Sequence, residues 1–89
     1  MFIEPTTEEV AKSITIRAGQ SIQVRGDIGS YTIPIEISDG AGGWDGFTED
    51  EDDGPVQLSI TRKQMAAFGN CLIRINKPET SVSIGIAII

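Results

Sequence analysis

Isoleucine recurs at every second position through much of this chain, and that rhythm restricts the fold more than any other feature. SITIR sets Ile14 and Ile16 on one side of an extended backbone, and QSIQVR does the same with Ile22 and Val24. YTIPIEI gives Tyr31, Ile33, Ile35 and Ile37; PVQLSIT gives Val56, Leu58 and Ile60. NCLIRIN gives Cys71, Ile73 and Ile75, and TSVSIGIAI gives Val82, Ile84, Ile86 and Ile88. Alternation with period two marks strands with one face buried and one face wet. The residue type agrees, because fifteen Ile and four Val stand against two Leu, and β-branched side chains suit a pleated surface better than a helix.

Turn residues separate these segments. Ala18-Gly19 reads as a tight hairpin between the first two, and Gly26, Asp27 and Gly29 part the second from the third. Asn76-Lys77-Pro78-Glu79 turns the fifth into the sixth. Pro34 has no N–H to give to a ladder, so its strand or its position is expected at an edge. Thr61-Arg62-Lys63-Gln64 fits a capping box and Gly69 a C-terminal stop, which predicts two helical turns over residues 62–68, with Met65 and Phe68 packed on the core. Thr6-Thr7-Glu8-Glu9 is a weaker capping box. Alternating faces on so many strands in 89 residues require two sheets to cover them. The expected fold is all-β: a small antiparallel β-sandwich, Ig-like or jelly-roll-like, with one short crossover helix. Residues 1–12 form an N-terminal arm or short helix, and residues 13–89 a single domain that carries an acidic loop over residues 39–55. Ile35, Ile37, Leu58, Ile73 and Ile84 hold central inward positions and should be buried.

The charge is segregated. Of thirteen acids, seven lie in residues 39–53 with no base among them, which leaves six acids against seven bases elsewhere. The bases are scattered and form no stripe, so nucleic acid is not an expected partner. No apolar run approaches 20 residues, so no membrane span is expected. The N-terminal MFIEPTTEEVAK lacks the apolar stretch of a signal peptide, and the chain is expected to stay in the compartment where it is made.

The chain has no histidine and one cysteine, which removes Ser-His and Cys-His nucleophilic systems, histidine metal sites and an intrachain disulfide. Cys71 takes an inward strand position, as a small buried hydrophobe does. The acids of residues 39–53 crowd a glycine-rich solvated loop that gives no desolvated seat for an acid–base pair. No catalytic residue and no cofactor is therefore expected. Calcium is the alternative use of the loop. Taking Gly54 as the glycine of an EF-hand loop places Glu49, Glu51 and Asp53 at three ligand positions, but Ile60 then stands where the bidentate Glu is needed. The run is read as a mobile, solvated loop. Upstream of it, Trp44 and Phe47 either fold back over the end of the sandwich or leave Trp44 as a surface aromatic that stacks on a sugar or a partner.

SITIRAGQSIQVRGD, YTIPIEISDGAGGW, VQLSIT and NCLIRINKP, followed by a last alternating strand, resemble a type of small phage virion protein. The shared features are an opening AGQS hairpin, a strand that ends in a Ser-Asp-Gly to Trp turn, and a late strand reached through a short Ala/Gly crossover. The similarity runs over about residues 13–88. It implies a compact module on a capsid or tail surface, made in the host cytoplasm and resident in the virion, with virion proteins as partners and a trimer as the assembly. The acidic run at residues 49–53 departs from the pattern. An interface is expected at the small outward positions of the last strand, Ser81, Ser83, Gly85 and Ala87, and at the apolar ends, Phe2, Ile3, Ile88 and Ile89. A carbohydrate- or calcium-binding module that uses Trp44 and the acidic loop is the alternative.

Overall fold

The computed structural model describes residues 1–46, 57–66 and 69–89, which form nine strands and, among those residues, no helix. They are β1 (Ile3–Thr6), β2 (Val10–Ile16), β3 (Ser21–Arg25), β4 (Ile33–Ser38), β5 (Trp44–Gly46), β6 (Gln57–Leu58), β7 (Gln64–Ala66), β8 (Cys71–Lys77) and β9 (Ile84–Ile88).

The pairing is nested. β4 turns back as β5, with Ser38 opposite Trp44, and β6 takes the other half of the same edge, with Pro34 opposite Gln57. Outward from that tip, β3 pairs with β7, β2 with β8 and β1 with β9, all antiparallel. The chain is thus one long hairpin, closed at residues 39–43. Winding it up sets β9 beside β3 and β8 beside β4. Two sheets result, in the orders β1-β9-β3-β7 and β2-β8-β4-β5, with β6 sharing the β4 edge. This is an antiparallel β-sandwich wound as a jelly roll.

Consecutive strands from β1 to β4 lie in alternate sheets. The Ala18-Gly19 break is therefore an arch between sheets and not the tight hairpin that its residues suggest. It is held by Gln20 N–H to the Arg17 carbonyl at 3.0 Å and by Ala18 N–H to Asn70 Oδ1 at 3.1 Å. β4 is likewise no edge strand. Pro34 stands one residue before the paired stretch with β8 begins at Ile35, so its missing N–H interrupts nothing there.

The helix expected over residues 62–68 is corrected for its described part. Ser59 and Arg62 exchange backbone bonds of 2.9 and 3.1 Å, which closes a turn where the helix would begin. Met65 then lies on β7 opposite Ile22, 4% exposed. An open β3 edge and an inward seat for Met65 outweigh the local capping preference. Phe68 lies outside the described residues. At the N-terminus, Thr6 Oγ1 accepts from Glu8 N–H at 3.2 Å, so those capping residues form a turn, and the arm or helix expected over residues 1–12 is strand β1 and the start of β2, which opens at Val10.

Between the sheets, Ile35, Leu58, Ile73 and Ile84 are buried as expected, joined by Ile16, Ile22, Ile75 and Ile86. Each such side chain contributes about 1.5–3 kcal/mol. Ile37 and Cys71 are half-buried, and partial burial pushes the Cys71 thiol up. Lys77 continues the inward row of β8 and is 1% exposed. Its ammonium is tolerated because Nζ donates to the carbonyls of Glu8 at 2.6 Å and Pro78 at 3.1 Å. Desolvation nevertheless pulls its pKa below the ordinary lysine value.

Candidate functional site

The stretch Ser38-Asp39-Gly40-Ala41-Gly42-Gly43 builds the tip. Asp39 Oδ1 accepts from the N–H groups of Ala41 at 2.7 Å and Gly43 at 2.9 Å, and Asp39 N–H donates to the Gly43 carbonyl at 3.1 Å. Ser38 Oγ accepts from Gly40 N–H at 3.1 Å. Gly40 and Gly42 carry φ of +80° and +91°, which side chains with a Cβ seldom adopt. Asp39 is thus a turn builder, of the kind in which a short carboxylate caps its own following backbone.

The turn returns the chain with Trp44 directly opposite Ser38. Side chains of directly opposed residues share a face, so Trp44 joins Ser38, Glu36 and Pro34 on the outer side of the second sheet. The same register adds Arg74 and Asn76 from β8, and Ala11, Ser13 and Thr15 from β2. Across this face Arg74 donates to Glu36 Oε1 from Nε at 3.0 Å and Nη2 at 2.8 Å, and Asn76 Nδ2 donates to the same oxygen. The Arg74 guanidinium also lies 4.7 Å from the centre of the Trp44 ring, a cation–π stack. These bonds from Arg74, then from Asn76, hold the Glu36 carboxyl below the usual carboxylate range. Leu72, next on β8, is 42% exposed beside them. The result is a flat, pre-ordered platform rather than a cleft, with β2 contributing only small side chains. At one end it dips into a hollow of about 330 Å³ lined by Ala11, Pro34, Asn76, Glu9, Thr32 and Pro78, with Lys77 behind.

Trp44 is half-buried on this outer face against Arg74 and is not among the side chains packed on the core, so it does not take the fold-back position. Phe47 lies outside the described residues, as do Glu49, Glu51, Asp53 and the loop at residues 48–54. Among the described residues no group of three or more His, Cys, Asp or Glu is placed to hold a metal ion. The expected interface divides. Phe2, Ile3, Gly85 and Ala87 come together because β1 pairs with β9, but they do so within the chain's own fold. Ile3 is 2% and Ala87 8% exposed, and the Ile3 carbonyl and Pro5 nitrogen cover Gly85. These three are therefore not a docking surface, because a jelly roll sets its first strand against its last. Ser81, Ser83 and Ile89 are exposed, and Ile88 is half-buried. Ser81 N–H donates to the Tyr31 hydroxyl at 3.1 Å, and Ser81 hydrogen bonding lowers the Tyr31 pKa.

Glu36, Arg74 and Asn76 were not legible as a site. Their outward positions follow from alternation, but nothing local tells that β4 and β8 are neighbours. No protein-family model, curated protein or solved structure matches this chain.

Proposed function

We propose that this chain is a non-enzymatic structural module of a virion, a capsid-decoration or tail-associated protein, that docks on a protein lattice and on copies of itself through the outer face of its second sheet. The observation that carries the reading is the Trp44–Arg74–Glu36 platform with Leu72 beside it. Trp and Arg are the side chains that most often anchor protein interfaces, and a flat pre-ordered surface loses little entropy on contact. The small residues of β2 permit close approach. Fold-level analogy points the same way, since jelly rolls recur in viral capsids. Edge pairing is the less suitable route, because Lys12 is exposed on the core side of the β2 edge strand and β1 carries Pro5.

Light scattering over a dilution series tests this. The mass should exceed the 9.5 kDa of one chain at micromolar concentration and fall to it in Leu72→Glu. A wild-type monomer at every concentration overturns self-association. Saccharide binding is the second reading, favoured by Trp44 standing on a face that also carries the hydrogen-bonding Asn76. A glycan array on which Trp44→Ala loses a wild-type signal would move the assignment to it.

A further inference from the structure

We propose that β1 and the turn that follows it, residues 1–9, form a strap that lifts as a unit while the remaining sandwich stays folded. β1 is an edge strand, and one of its four side chains, Ile3, is buried. Its ladder to β9 is irregular: Ile3 faces Ile86 and Thr6 faces Ile84, so Glu4 and Pro5 both stand against Gly85. A Cβ at Gly85 would come within 2.8 Å of the Ile3 carbonyl oxygen and 2.9 Å of the Pro5 nitrogen. Only glycine leaves room for this bulge. Other contacts fix the strap at points along it. Phe2 N–H donates to the Ile86 carbonyl at 2.9 Å, and Thr80 N–H to the Thr7 carbonyl at 2.9 Å. Lys12 Nζ donates to the Phe2 carbonyl at 3.3 Å and lies 5.6 Å from the Phe2 ring centre. Lys77 Nζ donates to the Glu8 carbonyl at 2.6 Å. Each of these bonds ends on a main-chain group of the strap, and Ile3, fully buried, and Phe2, half-buried against the core, are the apolar side chains that must leave with it. Segments held this way belong to the low-stability end of a native fold. Lifting the strap bares the backbone edge of β9.

Native-state hydrogen exchange on the full chain tests the proposal, with the Phe2 and Thr80 amides reporting the strap and the Ile73 and Ile75 amides the sandwich. The strap amides should exchange about 100-fold faster than the sandwich amides. Gly85→Ala should speed the strap amides by about tenfold or abolish their protection while Ile75 stays protected. Lys77→Met, which loosens the strap from the turn side, gives the same reading should Gly85→Ala fail to fold. Ile33→Val, in β4 away from the strap, should speed Ile75 by about fivefold and leave Phe2 and Thr80 at wild-type rates, because the lifted state still contains Ile33 in its core. Strap amides as slow as Ile75, equal acceleration of both sets by Ile33→Val, or strap rates unmoved by both strap variants would each overturn it.

Discussion

In the β4–β5 hairpin Ser38 meets Trp44 across a five-residue turn, whereas at the other end of the same nested pairing Ile3 meets Ile86 across nearly the whole chain. The tip needs little loop closure, and its contacts are local: one aspartate, one serine, four turn hydrogen bonds and glycines with positive φ. The open end must be held against a closure entropy that grows with the logarithm of the intervening length. It is held by buried Ile3 and half-buried Phe2, a glycine-sized gap, backbone bonds from Phe2 to Ile86 and from Thr80 to Thr7, and two lysines that reach backbone carbonyls. A jelly roll thus combines a locally encoded turn with an end that depends on everything between having folded.

The largest expected effect breaks the middle that joins the two regions. Ile73→Ala empties the centre of the second sheet and should cost about 2–5 kcal/mol in chemical denaturation. Ile3→Ala removes the same kind of side chain from the open end and should cost less than half as much, because the strap can lift instead of carrying a cavity. Equal losses for the two variants would show that the end is as firmly bound as the middle.

Asp39→Ala acts on the tip alone. Loss of its two accepted N–H bonds should cost about 1–2 kcal/mol and alter the near-ultraviolet circular dichroism of Trp44, with strap exchange unchanged. An unchanged Trp44 signal would mean that the turn is not what positions the ring.

Lys77→Met sharpens the other side through pH. Desolvation holds the folded Lys77 amine below the ordinary value of 10.5. Between the folded and unfolded values the native state has already lost a proton that the unfolded chain still binds, so stability should rise with pH towards 10.5. Tyr31, also lowered, acts in the same direction, and Cys71, raised, acts oppositely. The Lys77 part is therefore the wild-type slope minus that of Lys77→Met, from urea midpoints at alkaline pH. A zero or negative difference would contradict a desolvated ammonium.

The smallest effect belongs to the platform. Glu36 is held below its ordinary value of 4.5, so the stability it adds is present above that pH and is lost as pH falls through the folded value. Glu36→Gln should show no such loss, and its midpoint should converge with the wild type in acid. The pair is partly solvated, so the difference should be small. A gap that persists in acid would assign the effect to packing.

By itself the sequence determined six of the nine described strands, most of the residues that face inward on them, the two-sheet requirement and the segregation of charge, because period-two alternation and turn chemistry are properties of neighbouring residues; β1, β5 and β7 are too short to show that alternation, and Ile60 and Val82, expected inward, are exposed. Even the tip was half legible, since Ser38-Asp39-Gly40 announces a turn but not the face on which Trp44 emerges. The tertiary structure alone decided which strands pair. An alternating strand offers the same pattern to every partner, so nothing in SITIR or NCLIRIN says that β2 lies against β8, or that β3 follows β2 into the opposite sheet. Strand β7 replaced a locally favoured helix for that reason, since an unpaired β3 edge and an inward place for Met65 arise only once the other strands are assembled. The same holds for Lys77, whose burial depends on carbonyls brought to it from Glu8, and for Arg74, which finds Glu36 and Trp44 only across strands distant in the chain. Partner choice in an antiparallel sandwich is fixed by the sum of non-local burial and register, and that sum exists only in the folded chain.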